Sequence, residues 1–332
     1  MKHLLPQKTH YKASLHTHST ISDGKLTPEQ VKAVYRERGY SILALTDHSA
    51  MIPHNDLTEP DFLMLTGAEM DMPHANGGKT CHLCMLSRDP ELRWIPFRDR
   101  EPLEHMLPYM DQCECEGMEQ CHSVENINAV VARANRRGML VTYNHPAWSM
   151  EYHQDYSGFE GFWAMEYRNS SCIASGYDEN NGWVFRELIN MGKPLLPVMA
   201  DDMHSVNHGK TGYPVAGMGW TMVAADRLSY DCVMDALARG DLYCSCGPEI
   251  HSIVWDDGIL RVTCSPAAKI RVIKNRRPFR MVWGVGVTEG EFPMKRWYEL
   301  SKNDPDAWFY VIVENDDGTY AVSKAYTPAD LI

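Results

Sequence analysis

The chain has 332 residues, enough for one large domain or a large domain with a small companion. Its formal net charge of −12 argues against a nucleic-acid surface, which would show a basic stripe. The hydrophobic share of 44% and charged share of 23% are those of an ordinary globular protein, and no apolar run approaches the roughly 20 residues of a membrane span.

The first two-thirds alternates short apolar runs with helical stretches. Runs at 12–15, 42–45, 62–65, 82–86, 140–143, 162–167 and 195–199 are nearly continuous in apolar residues, the mark of strands buried on both faces of a parallel sheet or barrel. Between them, Thr27-Pro28-Glu29-Gln30 is a capping box with proline at the first helical position, and Gly39 closes that helix. The stretches 123–137, ended by Gly138, and 177–191, ended by Gly192, read as helices in the same way. Such alternation predicts an α/β barrel. After Cys246 the texture changes to short alternating segments at 250–255, 259–264, 270–274 and 308–314, divided by Asp257-Gly258 and Asp317-Gly318 turns. The expected organisation is a barrel over residues 1–246 and a small β-sandwich-like domain over residues 247–332. The opening MKHLLPQKTHYKAS has no sustained apolar segment of a signal peptide, so the ten cysteines read as reduced thiols of a cytoplasmic protein, with no membrane partner.

Candidate ligands gather where these strands begin or end. His16-Thr17-His18 follows the first strand, and a spacing of two puts both imidazoles on one face, able to grip one ion together. Asp47-His48 closes the second strand and Glu69 follows the third. His82 opens the fourth, His145 follows the fifth, and Asp202-Met203-His204 ends the seventh. Barrel enzymes build their active sites from residues at strand ends, so six ends bearing histidine, aspartate or glutamate point to a metal-dependent hydrolase. Bound cations would also supply the positive charge that an acidic chain needs for a small anionic substrate.

Taken in order, LHTHSTISDGKLTPEQ, LALTDHS, the GAE ending at Glu69, CHLCML around His82, YNHP at His145 and the closing ADDMH resemble the PHP family of metal-dependent phosphoesterases, named after polymerase and histidinol phosphatase. The likeness spans roughly residues 12–246 and implies a distorted (β/α)7 barrel; the tail is similar to the β-rich extension of some relatives. By position, the resemblance implies three ion sites: His16, His18, Glu69 and Asp202; then Glu69 as a bridge with His82 and His145; then Asp23, His48 and His204. Asp47 would orient a ligand from behind, and Asp202 is preferred to Asp201 because its spacing to His204 matches. Two or three divalent ions are implied, and mixed nitrogen and oxygen donors suit Zn, Mn or Fe.

The implied activity is hydrolysis of a small phosphorylated metabolite or nucleotide by a metal-activated hydroxide. The same hydroxide attacks carbonyl carbon, which leaves a hydrolase of a carboxylic ester, carbamate or amide as an alternative. A non-catalytic metal-binding or interaction module is the other, and its signature would be missing ligands.

For the substrate, Arg168 in EYRN is a candidate to hold an anionic group by a bidentate pair. His208 and Lys210 lie in the loop after Asp202-Met203-His204, and His208 is a candidate to protonate the leaving oxygen. Cys113, Cys115, Cys121 and His122 lack two well-separated ligand pairs and read as loop residues rather than a zinc site. Cys81 and Cys84 are expected to pack beside the cluster, and Cys244 and Cys246 to mark the domain junction.

Overall fold

A computed structural model describes residues 1–277 and 279–332. In chain order its strands are β1 (Lys2–His3), β2 (Thr9–Ser14), β3 (Ile42–Leu45), β4 (Leu63–Pro73), β5 (Thr80–Ser87), β6 (Trp94–Ile95), β7 (Glu114–Cys115), β8 (Met139–Tyr143), β9 (Ala164–Asn169), β10 (Leu196–Ala200), β11 (Trp220–Ala225), β12 (Leu242–Ser245), β13 (Ile250–Asp256), β14 (Ile259–Lys274), β15 (Arg280–Pro293), β16 (Phe309–Glu314) and β17 (Tyr320–Ser323). Its helices are α1 (Pro28–Glu37), α2 (Leu107–Met110), α3 (Val124–Arg136), α4 (His153–Tyr156), α5 (Ser170–Ala174), α6 (Gly182–Asn190), α7 (Tyr230–Arg239) and α8 (Lys295–Ser301). Among the described residues, no helix is long and apolar enough to cross a membrane.

Local chemistry explains the better-defined helices. The Thr27 side chain accepts from the Gln30 backbone while Gln30 returns a contact to Thr27, so α1 starts where the capping box says it should. Ser123 caps α3 by accepting from the Asn126 backbone N–H. The helix expected over 177–191 is shorter. Residues before Gly182 instead wrap Glu179, whose carboxylate accepts the backbone N–H groups of Ala147 (3.1 Å) and Trp148 (2.8 Å).

The fold is mixed α/β, with fifteen strands in one hydrogen-bonded sheet. Its order is β1-β13-β14-β16-β17-β12-β11-β2-β3-β4-β5-β8-β9-β10, and β15 pairs with β14 beside this path. Strands β2, β3 and β4 run parallel, as do β8, β9 and β10. Between these triplets β5 is antiparallel to both neighbours. The purely parallel alternation expected here fails because β4 and β5 form a hairpin. Its turn runs through Asn76-Gly77-Gly78, with Gly77 at φ 67° and His74 N–H donating to Lys79 O (2.9 Å). This reversal brings the first residues of β5 to the end where the parallel strands finish.

That end is also where the run of strands meets itself. Thr17, after β2, bridges Met203, after β10. His18 N–H donates to Met203 O (3.0 Å) and Asp202 N–H to His16 O (3.1 Å). Ala13, Ala44, Leu65, Leu86, Ala164 and Val198, from six of these strands, belong to one buried apolar cluster.

The C-terminal strands continue the same sheet. Tyr243 on β12 pairs with Ser323 on β17, and β12 pairs in turn with β11, so the region expected as an appended sandwich is hydrogen-bonded edge to edge with the first part. Cys244 lies on this junction. The runs at 259–264 and 270–274 fuse into β14, while β15 escaped notice because Gly284, Gly286 and Gly290 dilute its apolar alternation. Ile250, Val262, Ile270, Phe309 and Val311 form the core of this part.

Candidate metal centre

Glu69 lies within β4, 1% exposed, and is the hub of the site. Its Oε1 is 3.2 Å from His16 Nε2, 3.1 Å from His82 Nδ1 and 3.3 Å from His145 Nε2. Its Oε2 is 3.2 Å from His18 Nε2 and 3.3 Å from His48 Nδ1. Asp202 Oδ1 stands 3.2 Å from His16 Nε2 and 3.1 Å from His18 Nε2, and those two nitrogens are 3.1 Å apart. His16, His18, Glu69 and Asp202 thus form a group with all four side chains buried.

These separations fit an ion. A tetrahedral centre with bonds near 2.0–2.1 Å spaces its ligands about 3.3 Å apart. Asp202 Oδ1 is buried and has no aligned hydrogen bond, although two imidazole nitrogens approach it. Ligand atoms of His16, His18, Glu69 and Asp202 all lie within 4.8 Å of one another, close enough to share one ion.

Asp23, His48 and His204 join His18 in a second, looser group. His204 Nε2 is 3.3 Å from Asp23 Oδ2, while His48 Nε2 and His18 Nδ1 are each 3.8 Å from Asp23 Oδ1. His82 and His145 approach each other edge to face, with ring centroids 4.9 Å apart, and both face Glu69 Oε1. All nine residues expected as ligands are therefore brought together.

The imidazoles and carboxylates of the cluster shift one another strongly. Burial alone would lower the His18 pKa, but Asp202 and Glu69 outweigh it and raise the imidazole to about 10. For His82 burial is likewise outweighed, by Glu69 and Asp71, giving about 10. His48 goes the other way, to about 4, through burial and the neighbouring charge of His18. Burial would raise Glu69, yet His16, His82 and His48 hold it well below the usual carboxylate range. Two residues of the cluster also sit in strained backbone, Asp202 at φ 52° and His145 at φ 20°.

Supporting residues fix the donors. Glu166 was not singled out from the sequence, yet its Oε1 is 2.6 Å from His16 Nδ1, which leaves His16 Nε2 facing the cluster. Glu166 Oε2 accepts from His145 N–H (2.9 Å) and Asn169 Nδ2 (2.9 Å), so it also holds the strained ligand. The signal was a lone carboxylate inside the apolar strand 164–167. Asn144 Nδ2 donates to Glu69 Oε1 at 2.7 Å.

The Asp47 carboxylate hydrogen-bonds to no histidine of the cluster. It accepts from Ser19 N–H (2.7 Å), Ser19 Oγ (2.7 Å) and Ser22 Oγ (2.7 Å), pinning the loop that carries Asp23. Its neighbour in role, Asp201, accepts from the backbone of Met218 (3.0 Å) and Gly219 (2.8 Å) and from the Tyr35 hydroxyl (3.1 Å). Only Asp202 of that adjacent pair enters the cluster.

A cleft of about 490 Å³ opens over the donors, with Lys25, Trp148, Ser175, His208 and Lys210 on its walls. His208 is held by Ser175 Oγ at Nε2 and Thr211 Oγ1 at Nδ1, both 3.0 Å. Lys25 was missed because nothing distinguishes it in sequence; its backbone N–H donates to His204 O (2.7 Å). Arg168, expected as an anion clamp, is not among these wall residues. It lies outside this cleft, donating to Asn180 Oδ1 (2.9 Å) and lining a separate cavity with Tyr213 and Met218. The pairing of β9 with β10 slips between Glu166↔Val198 and Arg168↔Met199, and this bulge turns Arg168 off the Glu166 face.

Among the described residues, Cys113, Cys115 and Cys121 belong to no group of potential metal donors. His122 Nε2 pairs with Glu151 Oε1 at 2.8 Å. Cys84 is buried beside the cluster, 3.2 Å from Asn144 Nδ2.

No protein-family model matches the sequence, and no curated protein matches it. Among solved structures, the chain is similar to a two-domain protein of Bacteroides vulgatus containing a predicted PHP-like metal-dependent phosphoesterase, with 15% identity, a TM-score of 0.46 and 98% of both chains covered. It is also similar to a proposed metal-dependent phosphoesterase of Bifidobacterium adolescentis, with 13% identity, a TM-score of 0.40, and 63% of this chain and 94% of that chain covered. A third likeness is to an amidohydrolase of Chromobacterium violaceum with bound sulfate and no metal, with 17% identity, a TM-score of 0.40, and 61% of this chain and 89% of that chain covered.

Proposed function

We propose that the protein is a metal-dependent phosphoesterase of the PHP type, acting on a small phosphorylated metabolite or nucleotide. Residues 1–246 would form the distorted seven-stranded barrel that carries the reaction, with residues 247–332 as its β-rich companion. The observation that carries this reading is the buried convergence of His16, His18, Glu69 and Asp202 at separations an ion would impose. His16, His18, Glu69 and Asp202 would hold one ion, Glu69 with His82 and His145 a second, and Asp23, His48 and His204 a third. Bound divalent ions would supply positive charge for the substrate's anionic oxygens and acidify a water molecule.

The chain's own residues do the rest. Glu69, kept ionised by surrounding imidazoles, holds its ligands at one centre. Glu166 keeps the Nδ1 proton of His16 and so aims Nε2 inward. Lys25 and Lys210 line the cleft where phosphate oxygens would lie, and His208, on the same cleft wall, would leave its Ser175 or Thr211 partner to give a proton to the leaving oxygen. Trp148, edge-on to His82 and His145 with centroids 5.0 Å away, keeps bulk water from that side. Ten unpaired cysteines fit a reducing, cytoplasmic setting.

Metal analysis of the purified protein, followed by assays on phosphomonoesters, phosphodiesters and carboxylic esters, tests the proposal. About two or three ions per chain and turnover of a phosphate ester are expected. Full metal occupancy with turnover of carboxylic esters or amides alone would move the assignment to the other hydrolase class.

A further inference from the structure

Charge is distributed unevenly over this acidic chain. Despite the net −12, a cavity of about 410 Å³ in the C-terminal part is lined by Lys274, Arg276, Arg277, Arg280 and Arg296. They come from the end of β14, the turn that follows, the start of β15 and α8. Nearby arginines outside the cavity are matched: Arg261 pairs with Asp256 and Glu291, and Arg271 with Glu314. Inside it, Arg276 pairs with Asp304 at 2.8 Å, but Arg277, Arg280 and Arg296 form no ion pair among the described residues.

The cavity is more than a solvated basic face, because part of its lining is apolar and fixed. Met294 and Trp297 contribute to the wall while only 1% and 5% exposed. Lys274 Nζ donates to Arg276 O (3.1 Å), which anchors the turn. Burial, followed by the charge of Arg280, pushes the Lys274 pKa down, as expected where like charges are crowded together. Unmatched guanidinium groups around a hollow concentrate positive potential there, and their planar forks suit phosphate oxygens.

We propose that this cavity is a binding site for a polyphosphate-bearing anion, separate from the metal centre and independent of the phosphoesterase reading. The five cations would take the phosphate chain. If the ligand is a nucleoside triphosphate, Leu300, 60% exposed on the cavity wall, would meet the base; an inorganic polyphosphate would leave it uncontacted.

The test is calorimetric titration of the metal-loaded full chain with inorganic triphosphate and with a non-hydrolysable ATP analogue. The variants are Arg280→Glu, Arg296→Glu and, as an equal charge change on a remote surface, Arg88→Glu. Either cavity variant should weaken binding by about tenfold or more, with Arg88→Glu within about twofold of the parent. Tighter binding of the analogue than of triphosphate identifies the nucleotide as the source, and equal affinity identifies inorganic polyphosphate. Equal weakening by all three variants, or no saturable binding at about 1 mM ligand, overturns the proposal. Should a reversal impair folding by circular dichroism, Arg277→Gln at an exposed position replaces it, with about a threefold loss expected and an unchanged Kd overturning the proposal.

Discussion

The centre and the rim of the donor cluster are built differently. At the centre, His16, His18, Glu69 and Asp202 are buried and stand 3.1–3.2 Å apart. At the rim, Asp23, His48 and His204 are 20–40% exposed in their side chains and separated by 3.3–3.8 Å. The central donors are fixed by strand β4 and by the backbone bonds that join residues 16–18 to 202–203. The rim depends on the 18–23 loop, held by Asp47 through serines. A preorganised set binds with little loss of freedom, whereas a loose one must be ordered as the ion arrives. The difference teaches that the proposed ions should not be equivalent.

The largest effect should come from Glu69→Gln, which removes the charge shared by five imidazoles while nearly keeping the shape. Turnover should fall by about a thousandfold, measured with metal content and melting temperature on the same sample. Near-parental turnover at full metal occupancy would break the idea of a central hub. Glu166→Gln comes next: it should cost about 10–100-fold in metal affinity or activity, because His16 loses the carboxylate that orients it. Asp23→Asn should remove the rim ion alone and lower activity about tenfold, with the central ions retained on metal analysis. Loss of all bound metal in that variant would erase the distinction between the two regions.

Proton competition sharpens the comparison further. With His18 and His82 raised to about 10, the ion-free centre carries protons through neutral pH, and each ion must displace them. Central affinity should therefore rise with pH and fall towards acid. His48, lowered to about 4, is already unprotonated near neutrality, so loading of a rim ion held by Asp23, His48 and His204, with His18 left to the centre, should change less between about pH 6 and 8. Chelator competition across that range measures both slopes, and equal slopes would contradict the assignment. The smallest effect belongs to Arg168→Ala. The sequence suggested an anion clamp, but the residue lies outside the cleft, and kcat/KM should stay within about twofold of the parent.

The contrast also marks what could be read beforehand. The clustering of these residues was legible because histidines and carboxylates at strand ends are rare as an ordered set, and the seven apolar runs supplied those ends. Glu166 was hidden by an apolar strand, and Arg168 was misplaced because a one-residue bulge has no signature in composition. The β4–β5 hairpin carried a readable signal in Asn76-Gly77-Gly78, overshadowed by the expectation of parallel strands. The C-terminal hairpin turns were visible, but the hydrogen bonding of β17 to β12 was not, since edge pairing between distant strands depends on no local pattern.

That edge pairing has a consequence for how the protein is made. Ala13 must find Thr221, and Tyr243 must find Ser323, so the middle of the sheet is assembled from segments separated by about 80 to 200 residues. As the polypeptide leaves the ribosome, β2 has one partner at hand in β3 and an open edge on its other side. The edge of β12 stays open until β17 has emerged. Unpaired strand edges are templates for pairing with other chains. Nascent molecules are therefore exposed to aggregation for most of their synthesis, and folding is expected to be slow and to draw on chaperones even though the finished sheet is continuous.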